Sequence, residues 1–168
     1  MKRVTILFSL LVGWASSGLV LAAGDPAAGE GNVATCTACH GADGNGPAPF
    51  PKRAGQGEKY LLKQLMDLRD GARTVPTMVG QLDGKSDQDL ADIAAWFASQ
   101  QASGGQTKTE LLALGEKVYR SGVAERNVAA CIACHSPTGQ GNAPAGFPAL
   151  AGQHPEYIAD QLRAYRKG

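Results

Sequence analysis

Residues 32–46 read NVATCTACHGADGNG and residues 127–141 read NVAACIACHSPTGQG. Each stretch carries Cys-x-x-Cys-His: Cys36, Cys39 and His40 in the first, Cys131, Cys134 and His135 in the second. Together they use all four cysteines of the 168-residue chain. Two thiols three residues apart, with histidine directly after the second, form the attachment signature of a c-type haem. The sulfurs add across the two porphyrin vinyl groups, and the adjacent histidine supplies a nitrogen ligand to the iron. A thioredoxin-like redox pair would need a βαβ setting, which the chain lacks. A zinc site drawing on both Cys pairs would fuse the copies into one site and leave the histidines without a reason. Structural disulfides would suit an oxidising compartment. Two motifs in register, in a chain that spends every cysteine this way, favour haem.

The motif is part of a longer repeat. His40 aligns with His135 at an offset of 95, as do Asn32-Val33-Ala34 with Asn127-Val128-Ala129. A two-residue insertion raises the offset to 97, where Phe50-Pro51 matches Phe147-Pro148 and Ala54-Gly55-Gln56 matches Ala151-Gly152-Gln153. Tyr60, Gln64-Leu65, Arg69 and Gly71 then match Tyr157, Gln161-Leu162, Arg166 and Gly168. The period is too long and the copies too few for a solenoid, so two tandem domains are expected. Their bounds read as 24–99 and 110–168, with a Ser/Gly/Gln-rich linker at 100–109. A unit of that size is marginal on side-chain burial alone, and a covalently held cofactor would fill its core.

Residues 1–23 open with Met1-Lys2-Arg3, continue through a short apolar run and end in small residues, the pattern of a removed secretory signal peptide. The run is short for a membrane anchor. Beyond it the chain carries 14 Lys and Arg against 15 Asp and Glu, a balance that argues against nucleic-acid binding. No later stretch is long and apolar enough to span a bilayer. An exported protein is expected, in the periplasm, with at most peripheral membrane attachment. The first domain and linker through residue 105 hold 7 basic and 10 acidic side chains, and residues 106–168 hold 7 and 5. The halves thus differ in sign, a bias that could orient partners or merely reflect solvated faces.

The periodicity is helical throughout. EKYLLKQLMDLRDG (58–71) places Leu61, Leu65 and Leu68 on one stripe and ends at Gly71. SDQDLADIAAWFASQ (86–100) opens with Ser86 and Asp89, a variant capping box, and stacks Leu90, Ile93, Ala94 and Phe97. TELLALGEKVYRSG (109–122) aligns Leu111, Leu114 and Val118. No run alternates as a strand would, so each half is expected to be all-α.

The iron's sixth ligand decides what such a site does. Met66 and Met78 are the only methionines after the initiator. Met66 falls inside a helix, where core packing is its expected use. Met78 lies in the Pro-containing loop TVPTMVGQL, 38 residues after His40, and is the expected axial thioether of the first haem. Thioether favours Fe(II) and raises the potential relative to two histidines. In the second copy the position matching Met78 would be 175, beyond Gly168, and the match to helix 86–99 is also missing. Either the second domain is incomplete at its C-terminal part, the more economical reading, or its iron is open. His154 follows Gln153 in the matching loop and is expected at the surface or an interface.

With these motifs, the FPxxAGQ loops, YLLKQLMDLRDGAR and IADQLRAYRKG, the chain resembles the class I cytochromes c and, more closely, the dihaem cytochrome c4 family. The resemblance covers everything after the leader. It implies two class I domains, two covalently bound haem c groups facing one another across a pseudo-twofold interface, and periplasmic electron transfer toward a terminal oxidase. Carried over by position, Cys36, Cys39, His40 and Met78 serve the first haem, and Cys131, Cys134 and His135 the second. A carrier in a respiratory chain, taking electrons from a quinol- or dehydrogenase-linked donor, is the expected function. The alternative is a peroxidase-like enzyme or ligand sensor using an open second iron. It would need a distal acid–base residue, for which His154 is the nearby candidate. No nucleophile–base pair or paired carboxylates call for an enzyme.

Overall fold

The computed structural model describes residues 23–167. The expected leader at 1–23, apart from Ala23, and Gly168 lie outside the described residues. Seven helices follow in order: α1 Pro26–Asn32, α2 Ala34–His40, α3 Glu58–Arg69, α4 Asp87–Ser99, α5 Thr109–Ser121, α6 Ile132–His135 and α7 Pro155–Lys167. Single 3₁₀ turns occur at Pro76–Met78 and Ala124–Arg126. The described residues contain no β-strand, only two isolated antiparallel bridges, Val123 with Val128 and Asn142 with Phe147.

The first unit is organised around α4. Ser86 caps it by accepting from the Asp89 amide, and the Asp89 carboxylate accepts from the Ser86 amide in return. Every residue from Leu90 to Phe97 is buried. Leu90, Ile93, Ala94 and Phe97 form one cluster with Val33, Leu61 and Leu82. Across its other side runs α1, a seven-residue helix whose sequence, PAAGEGN, has little intrinsic tendency to be one. Asp25 caps it and Pro26 pre-sets its first turn. Gly29 lies so close to α4 that a Cβ would fall 2.1 Å from the Asp92 carbonyl oxygen. The buried Asp92 carboxylate accepts from the Asp25 amide and from Gln88. Arg69 joins the end of α3 to the start of α4 through Asp87 and the Lys85 carbonyl.

In the second unit the apolar stripe of α5 does not enter a core. Leu111 and Leu114 are exposed, as is Leu162 on α7, and α5, α6 and α7 contain no buried residue. Leu162 matches Leu65 of α3, which packs against the first unit's core cluster.

The units meet through reciprocal contacts, the pattern a twofold relation produces. Gln56 and Gln153, matched by the repeat, each grip the other unit's backbone. Gln56 donates to the Ala149 carbonyl (2.7 Å) and accepts from its amide (2.9 Å). Gln153 does the same to Lys52, at 2.9 Å in both directions. Arg73 reaches Gln64 in its own unit, and Gln161 and Tyr157 in the other. The segment joining the units, Ser/Gly-rich as it is, is held in place. The Ser103 amide donates to Asn45, and Lys52 donates to Ser103 Oγ and the Gly104 carbonyl.

Candidate functional site

Cys36, Cys39 and His40 lie on α2. Residues three and four apart share a helix face, so one turn presents both thiols and the imidazole together. The chain must then reverse sharply. Gly41 does so at φ 81°, and the Gly46 amide returns to the His40 carbonyl. A side chain at 41 would meet the Gly46 backbone nitrogen at 2.7 Å, so glycine alone fits this turn. Cys134 and His135 repeat the arrangement on the shorter α6, with Cys131 at its N-cap. There Ser136 takes the place of Gly41 and holds φ 68°. Its hydroxyl accepts from the Gln140 amide. The Tyr119 hydroxyl donates to the Ser136 carbonyl at 2.6 Å, bracing the turn.

Both histidines are oriented alike. His40 Nδ1 lies 2.8 Å from the Pro51 carbonyl oxygen and His135 Nδ1 lies 2.9 Å from that of Pro148. A carbonyl oxygen only accepts, so Nδ1 carries the proton and Nε2 keeps its lone pair. That is the tautomer a metal ligand needs, with its other nitrogen anchored. Phe50 and Phe147 stand edge-on to the two rings at centroid distances of 6.3 and 6.1 Å. His40 is only 7% exposed. Burial first, and the positive charge of Arg53 second, push its pKa down to about 4, against the opposing bond to Pro51. The ring is neutral at physiological pH.

Met78 occupies the 3₁₀ turn between α3 and α4, its amide bonded to the Val75 carbonyl. It is half-buried and packs against the same apolar cluster as Cys36, Leu68 and Met66. His154 is placed at the junction of the units, where its Nε2 meets the Gly46 carbonyl at 2.8 Å.

No two of the four cysteines are joined in a disulfide. Among the described residues no three His, Cys, Asp or Glu side chains converge on a point that could hold a metal ion. The joint zinc site considered from sequence therefore has no geometric basis. The donor set instead fits a porphyrin iron in each unit, with two thiols and a bare Nε2 presented from one helical turn. The anchoring carbonyls of Pro51 and Pro148, the edge-on phenylalanines and the glutamine clamps were not assigned roles from sequence. The signal that marks them is their identity in the repeat.

The model of the cytochrome c family matches residues 27–101 and again 112–168. The chain is 57% identical over 164 residues to cytochrome c4 of Pseudomonas aeruginosa, covering 97% of this chain and 82% of that one. The crystal structure of reduced recombinant cytochrome c4 from Pseudomonas stutzeri superposes with a TM-score of 0.84 at 53% identity, covering 87% of this chain and 82% of that one. A further relative, from Stutzerimonas stutzeri, is a thiosulfate dehydrogenase electron acceptor, 39% identical over 79% of this chain and 63% of its own. The chain belongs to the cytochrome c4 family of electron-transfer cytochromes, all-α proteins built from two cytochrome c domains that bind haem c covalently.

Proposed function

We propose that this protein carries two haem c groups, one per unit, and shuttles single electrons between a dehydrogenase- or quinol-linked donor and a terminal oxidase in the periplasm. The observation that carries the reading is the duplicated anchor: both histidines spend Nδ1–H on a proline carbonyl and leave Nε2 for iron. Cys36 and Cys39 would hold the first haem, with His40 and Met78 as axial ligands, and Cys131, Cys134 and His135 would serve the second. When bound, haem c supplies a one-electron Fe(III)/Fe(II) couple. The chain's own part is to fix the ligands so that little moves when the charge changes. The Pro51 and Pro148 carbonyls lock the imidazoles, and the apolar cluster around Met78 keeps water from the thioether. The tandem arrangement lets an electron pass from one unit to the other, and the opposite charge of the halves helps orient a different partner at each end. A relative that accepts electrons from thiosulfate dehydrogenase supports a dehydrogenase as donor. Among the described residues no helix is long and apolar enough to cross a membrane.

The test is a redox titration of the purified protein with its haems counted by absorbance. Two haems per chain are expected, with Met78→Ala lowering the potential of the first alone. One haem per chain, or a Met78→Ala variant with both potentials unchanged, would refute the assignment.

A further inference from the structure

The two glutamine clamps grip particular peptide groups. The Pro51 carbonyl, which accepts from His40 Nδ1–H, belongs to the same peptide group as the Lys52 amide, and that amide donates to Gln153 Oε1 at 2.9 Å. The Pro148 carbonyl, which accepts from His135 Nδ1–H, shares its peptide group with the Ala149 amide, which donates to Gln56 Oε1 at 2.9 Å. Each histidine thus ends a two-bond chain that begins at a glutamine of the other unit. Both chains form at matched positions of the repeat.

We infer that Gln56 and Gln153 are crosswise positioning residues: each sets the orientation and basicity of the axial histidine in the opposite unit. An acceptor on a peptide N–H shifts amide electron density toward the carbonyl oxygen, and hydrogen bonds in series reinforce one another by about 10–30% each. The enriched oxygen pulls harder on Nδ1–H, which makes Nε2 a stronger donor and favours Fe(III). The clamp also fixes the carbonyl in space, because the glutamine Nε2 donates to the carbonyl of the same residue whose amide it accepts from. Gln56 is 7% exposed, so the bond is shielded from competing water. Docking of the units and electronic tuning therefore use the same residues, each clamp acting on the histidine opposite it.

The inference rests on the haem assignment above, and the experiment separates the two. In the full-length haem-loaded protein, Gln56→Leu and Gln153→Leu keep the side-chain bulk and remove the acceptor. Each variant is titrated, and the histidine Nδ1–H is followed by nitrogen NMR in the reduced state. Gln56→Leu is expected to raise the second haem's potential and speed exchange of the His135 Nδ1–H, leaving the first haem unmoved. Gln153→Leu is expected to do the reverse, acting on His40. The expected size is about a threefold change in the oxidised-to-reduced ratio, about 28 mV at 59 mV per decade for one electron. Gln56→Glu and Gln153→Glu keep an acceptor oxygen and are expected to hold the opposite haem at or below its parental potential, which guards against a leucine variant that fails to fold. Shifts confined to the variant's own unit, equal shifts in both haems, or no shift in a folded variant would overturn the relay while leaving the haem assignment standing. Absence of covalent haem from the parent protein would overturn both.

Discussion

Ser136 stands where the first unit has Gly41, at φ 68° and ψ 163°, a region that glycine alone enters freely. Such a conformation costs about 1–3 kcal/mol for a side-chain-bearing residue, part of which the Gln140 amide returns by donating to the serine hydroxyl. Glycine there removes the strain and also that bond, and it adds about 0.5–1 kcal/mol of backbone entropy. Ser136→Gly is therefore expected to stabilise the second unit by about 1 kcal/mol, read as a shift of the denaturant midpoint at constant slope. A loss of stability would mean that the hydroxyl bond outweighs the strain.

Among the helices, α1 shows how packing overrides propensity. Glycine inside a helix ordinarily costs about 0.5–1 kcal/mol relative to alanine. At Gly31, where a Cβ would meet nothing within 4 Å, Gly31→Ala is expected to stabilise by about that amount. At Gly29 the sign reverses. A Cβ would sit 2.1 Å from the Asp92 carbonyl oxygen and 2.8 Å from Trp96 Cβ, so Gly29→Ala must push α1 off α4 at a cost of about 3 kcal/mol. Thermal unfolding of the two variants, two residues apart on one helix, should move in opposite directions. This reliance on contact explains what was legible. Helices α3, α4 and α5 follow from apolar periodicity, and the Ser86–Asp89 capping box was visible in sequence and is formed. Helix α1 carries no such period. Its start is set by Asp25 and Pro26, but its persistence depends on a partner some 60 residues away. The stripe on α5 was equally legible, yet Leu111 and Leu114 are exposed, because a stripe announces a need for cover and does not say what supplies it. At the site, the grouping of thiols and histidine on one helical turn was legible because Cys-x-x-Cys-His is a purely local spacing. Pro51 and Pro148 meet their histidines 11 and 13 residues away, and Gln56 and Gln153 meet partners 93 and 101 residues away, so repeat identity marked all four without naming their partners.

For the molecule as a whole, the question is whether the two units unfold as one. Beside the reciprocal glutamine clamps, Arg73 bridges the units at a further point. Its guanidinium donates to Gln64 Oε1 at 2.6 Å, to Gln161 Oε1 at 2.8 Å and to the Tyr157 hydroxyl at 3.1 Å. Gln64 and Gln161 are repeat mates, so the fork lies where equivalent side chains of the two units meet. A planar guanidinium can serve both amides and the phenol at once, which a lysine ammonium on a flexible stem cannot do with the same geometry. Hydrogen bonds to a charged donor contribute about 1.5–3 kcal/mol, and the site is only partly shielded from water, so Arg73→Ala is expected to weaken the junction by about 2 kcal/mol. Arg73→Lys should recover less than half of that. Calorimetry of the haem-loaded protein should show the transitions of the two units drawing apart in Arg73→Ala. A double-mutant cycle of Arg73→Ala with Gln161→Ala should give a coupling of about 1 kcal/mol. A merely local role for Arg73 would lower the first unit's transition alone and leave the cycle additive.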